Sequence, residues 1–219
     1  MKFCIKKYFG NAEQEYSQIL QDKIINISVN DTISTDSVCF MEQIHSSHVV
    51  VIQDVIPTLN TIPQCDGLIT PAKNIFLAVR TADCFPILIY DDEKGVIGVA
   101  HSGREGTKQK ILEKILTIMK ESFFCMAENI KVEIGVGICA KHYQVTTHIV
   151  DEFKTVFPDL EITEYLDLQS VIIDTALKNG IVNTNIKIIK GCTFENEKYF
   201  SFRRDKNAKR QISGIGMIN

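Results

Sequence analysis

The 219-residue chain has no tryptophan, only five prolines and no apolar run near the roughly 20 residues of a membrane-crossing helix. No transmembrane segment is therefore expected. It also lacks a basic excess: 24 Lys and Arg against 27 Asp and Glu give a net charge of -3, which argues against a nucleic-acid partner. Histidine is scarce, with five in all. The seven cysteines are odd in number and include no C-x-x-C pair, so a complete disulfide framework is not expected. The opening stretch, MKFCIKKYFGNAEQEYS, has no apolar leader core and no cleavage site. Together these features predict reduced thiols and a cytoplasmic location. Internal repeats, low-complexity tracts and linkers are missing too.

What remains is an ordinary globular composition, 45% apolar and 23% charged, on a length sufficient for one large core. Short β-branched or apolar runs at 37–41, 48–53, 75–80, 86–90 and 96–101 read as strands. Asp66-Gly67 reads as a turn, and D-D-E-K-G before residue 96 as another. From 107 to 124 the apolar residues Ile111, Leu112, Ile115, Leu116, Ile118 and Met119 fall at helical spacing, with Gly103 and Gly106 in the turn before them. A strand at 131–136 follows. Helices are expected at 148–157, ended by Pro158, and at 168–178, with Asp167 as N-cap and Gly180 just beyond the end. Late strands are expected at 186–189 and 199–202. The pattern predicts a single α/β (α+β) domain over residues 1–219, a mixed β-sheet core layered with helices.

Three residues of metal-ligating type stand where apolar strands stop. His45 lies in the polar break of MEQIHSSHVV, Cys84 in RTADCFPI, and His101 at the end of GVIGVA, opening the turn HSGREG before a helix. Two imidazoles and a thiolate suit tetrahedral Zn²⁺ and leave the fourth position open, the mark of a catalytic rather than a structural site. The spacing is wide, and singly each residue has an ordinary reading: a buried small apolar cysteine, or a histidine hydrogen-bonded at a strand end.

The ordered segments MEQIHSSHV, CDGLIT, LAVRTADCFPILIYD, GVAHSGREG, VEIGVGICAKHYQV and GCTFENEKYFSFRRDKNAKRQ resemble the YfiH/FAMIN-type family, from about Met41 to the C-terminus. That family, formerly called polyphenol oxidase or laccase-domain protein, is regarded as zinc-dependent purine nucleoside phosphorylases. The resemblance implies one zinc per chain on His45, Cys84 and His101, with copper the lesser alternative. It also implies phosphorolysis of adenosine, inosine or methylthioadenosine, possible adenosine deamination, and small-molecule partners, namely a nucleoside and phosphate. The chain would act as a monomer or homodimer. Rival readings are hydrolysis of a peptidoglycan precursor and copper-dependent polyphenol oxidation. Five histidines are too few for the usual multicopper set.

The departures from the family pattern fall beside the expected site. H-A-G-W-R-G is H-S-G-R-E-G here, which places Arg104 for tryptophan and Glu105 for arginine. The N-terminal T-R-x-G-G-V-S has no counterpart in FGNAEQEYS, and the terminal T-G-R-Q becomes AKRQ, keeping Arg210 and Gln211. Further candidates follow from residue chemistry. Gln43, two residues before His45, would share its side of a strand and touch substrate or hold the histidine. Asp83 would serve as acid/base or orient a neighbour, or simply cap a turn. Arg203 and Arg204 would grip phosphate bidentately or pair at the surface. Arg104 stands at a glycine-bearing helix start that favours anions. His142 and Tyr143 would stack on or hydrogen-bond a base.

Overall fold

The computed structural model describes residues 4–16, 18, 24–28, 31–34, 37–53 and 61–218. Two mixed sheets form its centre. The first runs in the order Cys4–Phe9 (β1), Gln211–Ile218 (β13), Ile75–Thr81 (β8), Val38–Met41 (β4) and Thr61–Ile62 (β6). The second runs Ile186–Ile188 (β12), Lys131–Ile134 (β11), Phe85–Asp91 (β9), Val96–Ser102 (β10), Gly67–Thr70 (β7) and Val49–Val51 (β5). A two-stranded ribbon, Ile24–Ser28 (β2) with Asp31–Ser34 (β3), stands apart. Helices Arg104–Lys108 (α1), Ile111–Phe123 (α2), Thr147–Val156 (α3), Leu168–Lys178 (α4) and Phe202–Asp205 (α5), with short 3₁₀ turns at Ala140–His142 and Asn183–Asn185, complete the described elements.

The central strands are apolar on both faces because both faces are covered. Along β9, Ile87 and Ile89 pack with the helices, while Leu88 and Tyr90 meet the five-stranded sheet. Along β10, Val96 and Ala100 face the helices, while Ile97 and Val99 face the other sheet. The order of layers is thus helices, six-stranded sheet, five-stranded sheet. A small outer cluster of Val38, Phe40, Phe76, Ala78 and Ile212 closes the far side with Tyr8 and Tyr16. Continuous apolar runs, rather than period-two alternation, are what strands buried on both sides require.

Helix α2 seats Ile111, Leu112, Ile115, Leu116 and Met119 in the core. Each such burial is worth about 1.5–3 kcal/mol. The Asp167 side chain accepts from the Ser170 N–H and caps α4, and Gly180 (φ +88°) follows that helix, both as the sequence predicts. The Asp91 carboxylate accepts from the Glu93 and Lys94 N–H groups (2.9 Å each), making the D-D-E-K-G turn.

Three expectations are corrected. The helix expected over 107–124 is two helices, broken at Lys110, whose backbone is left-handed (φ 60°). Residues 199–202 are not a strand. The Ser201 hydroxyl accepts from the Arg204 N–H (3.1 Å) and starts α5. The missed late strand is β13, QISGIGMI, where Gly214 and Gly216 lie against the Phe76 ring with no room for a Cβ. Those glycines are required by packing, yet they mask a strand pattern. Among the described residues no helix is long and apolar enough to cross a membrane.

Candidate metal centre

His45, Cys84 and His101 come from three segments that end at the same edge of the two sheets. His45 follows β4, Cys84 sits between β8 and β9, and His101 is near the end of β10. Their ligating atoms all lie within 4.8 Å of one another. Zinc–nitrogen and zinc–sulfur bonds of about 2.0–2.3 Å at tetrahedral angles separate ligand atoms by about 3.3–3.8 Å, so this set fits one ion with little movement. Among the described residues no fourth donor joins the three.

Asp66 organises the group. It is fully buried, and its Oδ1 lies 2.8 Å from His101 Nδ1, which leaves Nε2 of that ring for the cluster. The same carboxylate accepts the N–H groups of Ile44 (3.2 Å), His45 (3.1 Å) and Ser46 (2.7 Å), and the Ser46 hydroxyl (2.8 Å). Three consecutive amides around one carboxylate hold His45 in the left-handed region (φ 60°), a conformation that costs a non-glycine residue about 1–2 kcal/mol. The His45 ring then stands edge-on to His101, with centroids 4.8 Å apart at 79°. A carboxylate–histidine pair behind a ligand position fixes both tautomer and ring direction.

Two glycines make the approach possible. A Cβ at Gly103 would lie 2.7 Å from Cys84 Sγ, and one at Gly106 would lie 3.0 Å from the Ser46 carbonyl. The turn H-S-G-R-E-G is therefore folded against the other two ligand loops. Asp83, left-handed at φ 89°, shapes the Cys84 turn. Its Oδ1 accepts from the Thr193 hydroxyl and its Oδ2 from the Arg203 N–H, each at 2.6 Å.

The charges support ion binding. Burial opposes ionisation of the Cys84 thiol, but His101 and His45 outweigh it and bring its pKa down to about 6. Burial works against charging His101, and Cys84 with Asp66 overcomes it and pushes the imidazole up. Burial likewise disfavours the Asp66 carboxylate, yet His101 and Ser46 hold its pKa down at about 2. A thiolate is thus available at neutral pH, and a metal binding there would displace the proton that His101 carries.

The cluster opens into a cavity of about 890 Å³. Gln43, Asp83, Arg104, Tyr143 and Arg203 line it; His142 and Arg204 do not. His142 turns to Glu195 (Nε2···Oε1 3.0 Å) and stacks on Phe194. The Arg204 guanidinium is spent on the carbonyls of Thr193, Phe194 and Tyr199 and on Asp205. Gln43 is not in a strand with His45, because β4 ends at Met41. Its amide instead pairs with the Arg80 main chain, accepting from N–H (2.9 Å) and donating to C=O (2.8 Å). Arg104 stands at the start of α1, with Gly106 inside the helix rather than before it. That helix has five residues, too few for a sustained dipole, and Arg104 Nε donates to Glu105 (3.0 Å). Lining residues not assigned from sequence include Arg80 and Lys206, and Arg210 joins them. The role of Asp66 was also hidden, since D-G reads locally as a turn.

The model of the multi-copper polyphenol oxidoreductase laccase family matches residues 18–218. The chain belongs to this family. Its relatives include a purine nucleoside phosphorylase of Campylobacter jejuni, 37% identical over 80% of this chain and 75% of that protein. Another is a purine nucleoside phosphorylase of Clostridium acetobutylicum, 33% identical over 95% of this chain and 90% of the other. Among solved structures, the hypothetical protein YfiH of Bacillus licheniformis superposes with a TM-score of 0.77 at 28% identity, covering 84% of this chain and 75% of that one. The family's mixed α/β architecture is therefore the one predicted from the sequence pattern.

Proposed function

We propose that this laccase-family protein is a zinc-dependent purine nucleoside phosphorylase. The observation that carries this reading is one cavity holding both the His45–Cys84–His101 set and five cationic side chains: Arg80, Arg104, Arg203, Lys206 and Arg210. Two of its relatives that bear the phosphorylase name span most of the chain. A metal ligand set beside an arginine-rich wall suits a reaction that brings an anionic nucleophile to a neutral sugar.

In phosphorolysis a phosphate oxygen bonds to the anomeric carbon as the carbon–nitrogen bond breaks. The bonding pair leaves on the purine, which takes up a proton, and ribose 1-phosphate forms. The cationic side chains would hold the phosphate dianion, with guanidinium groups suited to two-oxygen contacts. Tyr143, whose phenol is pushed up by burial and so stays protonated, offers a hydrogen-bond donor to the base, while the Arg203 guanidinium lies 5.1 Å from its ring centroid. Asp83, next to Cys84, ties that turn to the Thr193 hydroxyl and the Arg203 main chain through its two hydrogen bonds, and Asp66 orients His101 and the His45 loop. Zinc held by His45, Cys84 and His101 would supply Lewis acidity to the cavity.

The donor set bears on metal identity. Two histidines and a cysteine with an axial methionine would suit copper electron transfer, but among the described residues no methionine lines this cavity. An open position on a mixed nitrogen–sulfur set suits catalytic zinc. The test is chromatography of adenosine and inosine reactions with and without phosphate. Free purine and ribose 1-phosphate appearing only with phosphate are expected. Conversion of adenosine to inosine alone would replace the reading with deamination, and no turnover of either nucleoside would reject it.

A further inference from the structure

A second set of metal-ligating side chains lies away from the cavity. The ligating atoms of Cys139, His142 and Glu195 are all within 4.8 Å of one another. A second thiol stands beside this group, outside its 4.8 Å circle: Cys192 is 5% exposed, and its Sγ accepts the Cys139 N–H (3.2 Å), so a small side-chain rotation would add it as a fourth donor. The four residues form two local pairs with the same spacing, Cys139-x-x-His142 and Cys192-x-x-Glu195.

Each pair is shaped by a turn. The His142 N–H donates to the Cys139 carbonyl (3.0 Å), opening the short 3₁₀ turn Ala140–His142, and the Asn196 N–H donates to the Cys192 carbonyl (3.0 Å). A turn of this kind brings side chains i and i+3 to one side, as in the paired ligands of structural zinc sites. The thiols gain little from each other, since sulfur is a weak donor and a weak acceptor. Two thiols, an imidazole and a carboxylate together make a donor set that a borderline-soft dication satisfies in full.

We infer that Cys139, His142, Cys192 and Glu195 form a second, four-ligand zinc site that is structural rather than catalytic. Four protein donors leave no open position, in contrast to the three-ligand centre in the cavity. The ion ties the 139–143 turn to the 192–196 turn, and both turns support the cavity. Tyr143 adjoins His142 and lines the cavity, while Thr193 adjoins Cys192 and holds Asp83, the neighbour of Cys84. The second ion would thus brace the wall that carries Asp83 and Tyr143.

The inference does not depend on which reaction the cavity performs, and it is tested by metal content. The full chain is purified without a metal-chelating tag, and zinc per chain is measured for the wild type, Cys84→Ala, and Cys139→Ser/Cys192→Ser. Two equivalents in the wild type and one in each variant are expected, with one cobalt bound by metal-exchanged Cys84→Ala giving thiolate-to-cobalt absorption. Should the double variant fail to fold, His142→Ala/Glu195→Gln takes its place, again with the loss of one equivalent expected. One equivalent in the wild type and none in Cys84→Ala would overturn the second site, as would a Cys139–Cys192 disulfide in freshly purified protein. Absence of zinc from the cavity alone would leave one equivalent that Cys84→Ala does not remove, so the failure of either site is recognisable.

Discussion

Cys84 and Asp66 carry most of the local chemistry. With the thiol near pKa 6, Cys84 in chelator-treated protein should react with iodoacetamide at neutral pH, with a half-maximal rate near pH 6. Burial pushes Cys65 and Cys125 up to about 12, and burial with Cys192 pushes Cys139 up to about 11, so these should stay unlabelled at pH 7. Peptide mass spectrometry reads the outcome, and a Cys84 midpoint near 9 would refute the electrostatic account. Replacing Asp66 by alanine should lower zinc affinity by about 10–100-fold, because His101 loses its orienting partner. Its carboxylate is more acidic folded (about 2) than unfolded (3.8), so its contribution of about 2 kcal/mol is full above pH 4. That contribution is lost as pH falls towards 2. The stability gap between wild type and Asp66→Asn should therefore narrow over that window, as urea titrations at successive pH values would show.

At the scale of elements, legibility followed how far each signal reaches along the chain. Helix α4 was readable to its ends because its cap, its periodicity and Gly180 are all local. Asp167→Ala should accordingly cost about 1 kcal/mol, measurable as a drop in Tm. Strand β13 was hidden because its glycines answer to Phe76, a residue far away in sequence. The ligand types were legible at strand ends, but their convergence rested on a resemblance and not on spacing. Asp66 was misread because its partners at 44–46 and 101 are distant in sequence and D-G is a good turn signal by itself. The Gly103 turn gives a sharp test at this scale. Gly103→Ala puts a methyl group 2.7 Å from Cys84 Sγ and should lower metal occupancy while leaving the circular-dichroism spectrum unchanged.

Over the whole molecule, the two-sheet sandwich gathers loops from both sheets at one edge. The five-stranded sheet delivers His45 after β4 and leads into Cys84 after β8, while the six-stranded sheet delivers His101 on β10. Because an ion held there binds only the folded chain, zinc should raise the Tm of metal-free wild type more than that of Cys84→Ala. The cationic wall is separable from the ligand set. Arg203→Ala should raise the KM for phosphate by about tenfold or more, the loss of one charge-assisted contact, with a smaller effect on nucleoside KM. The central claim joins the ligand set to the reaction, and removal of the metal tests it most directly. Inosine phosphorolysis is measured in untreated protein, after chelation and dialysis, and after adding back zinc or copper. The account predicts that ribose 1-phosphate formation disappears on chelation and returns with zinc. Undiminished phosphorolysis in fully metal-free protein, or recovery with copper alone, would contradict it.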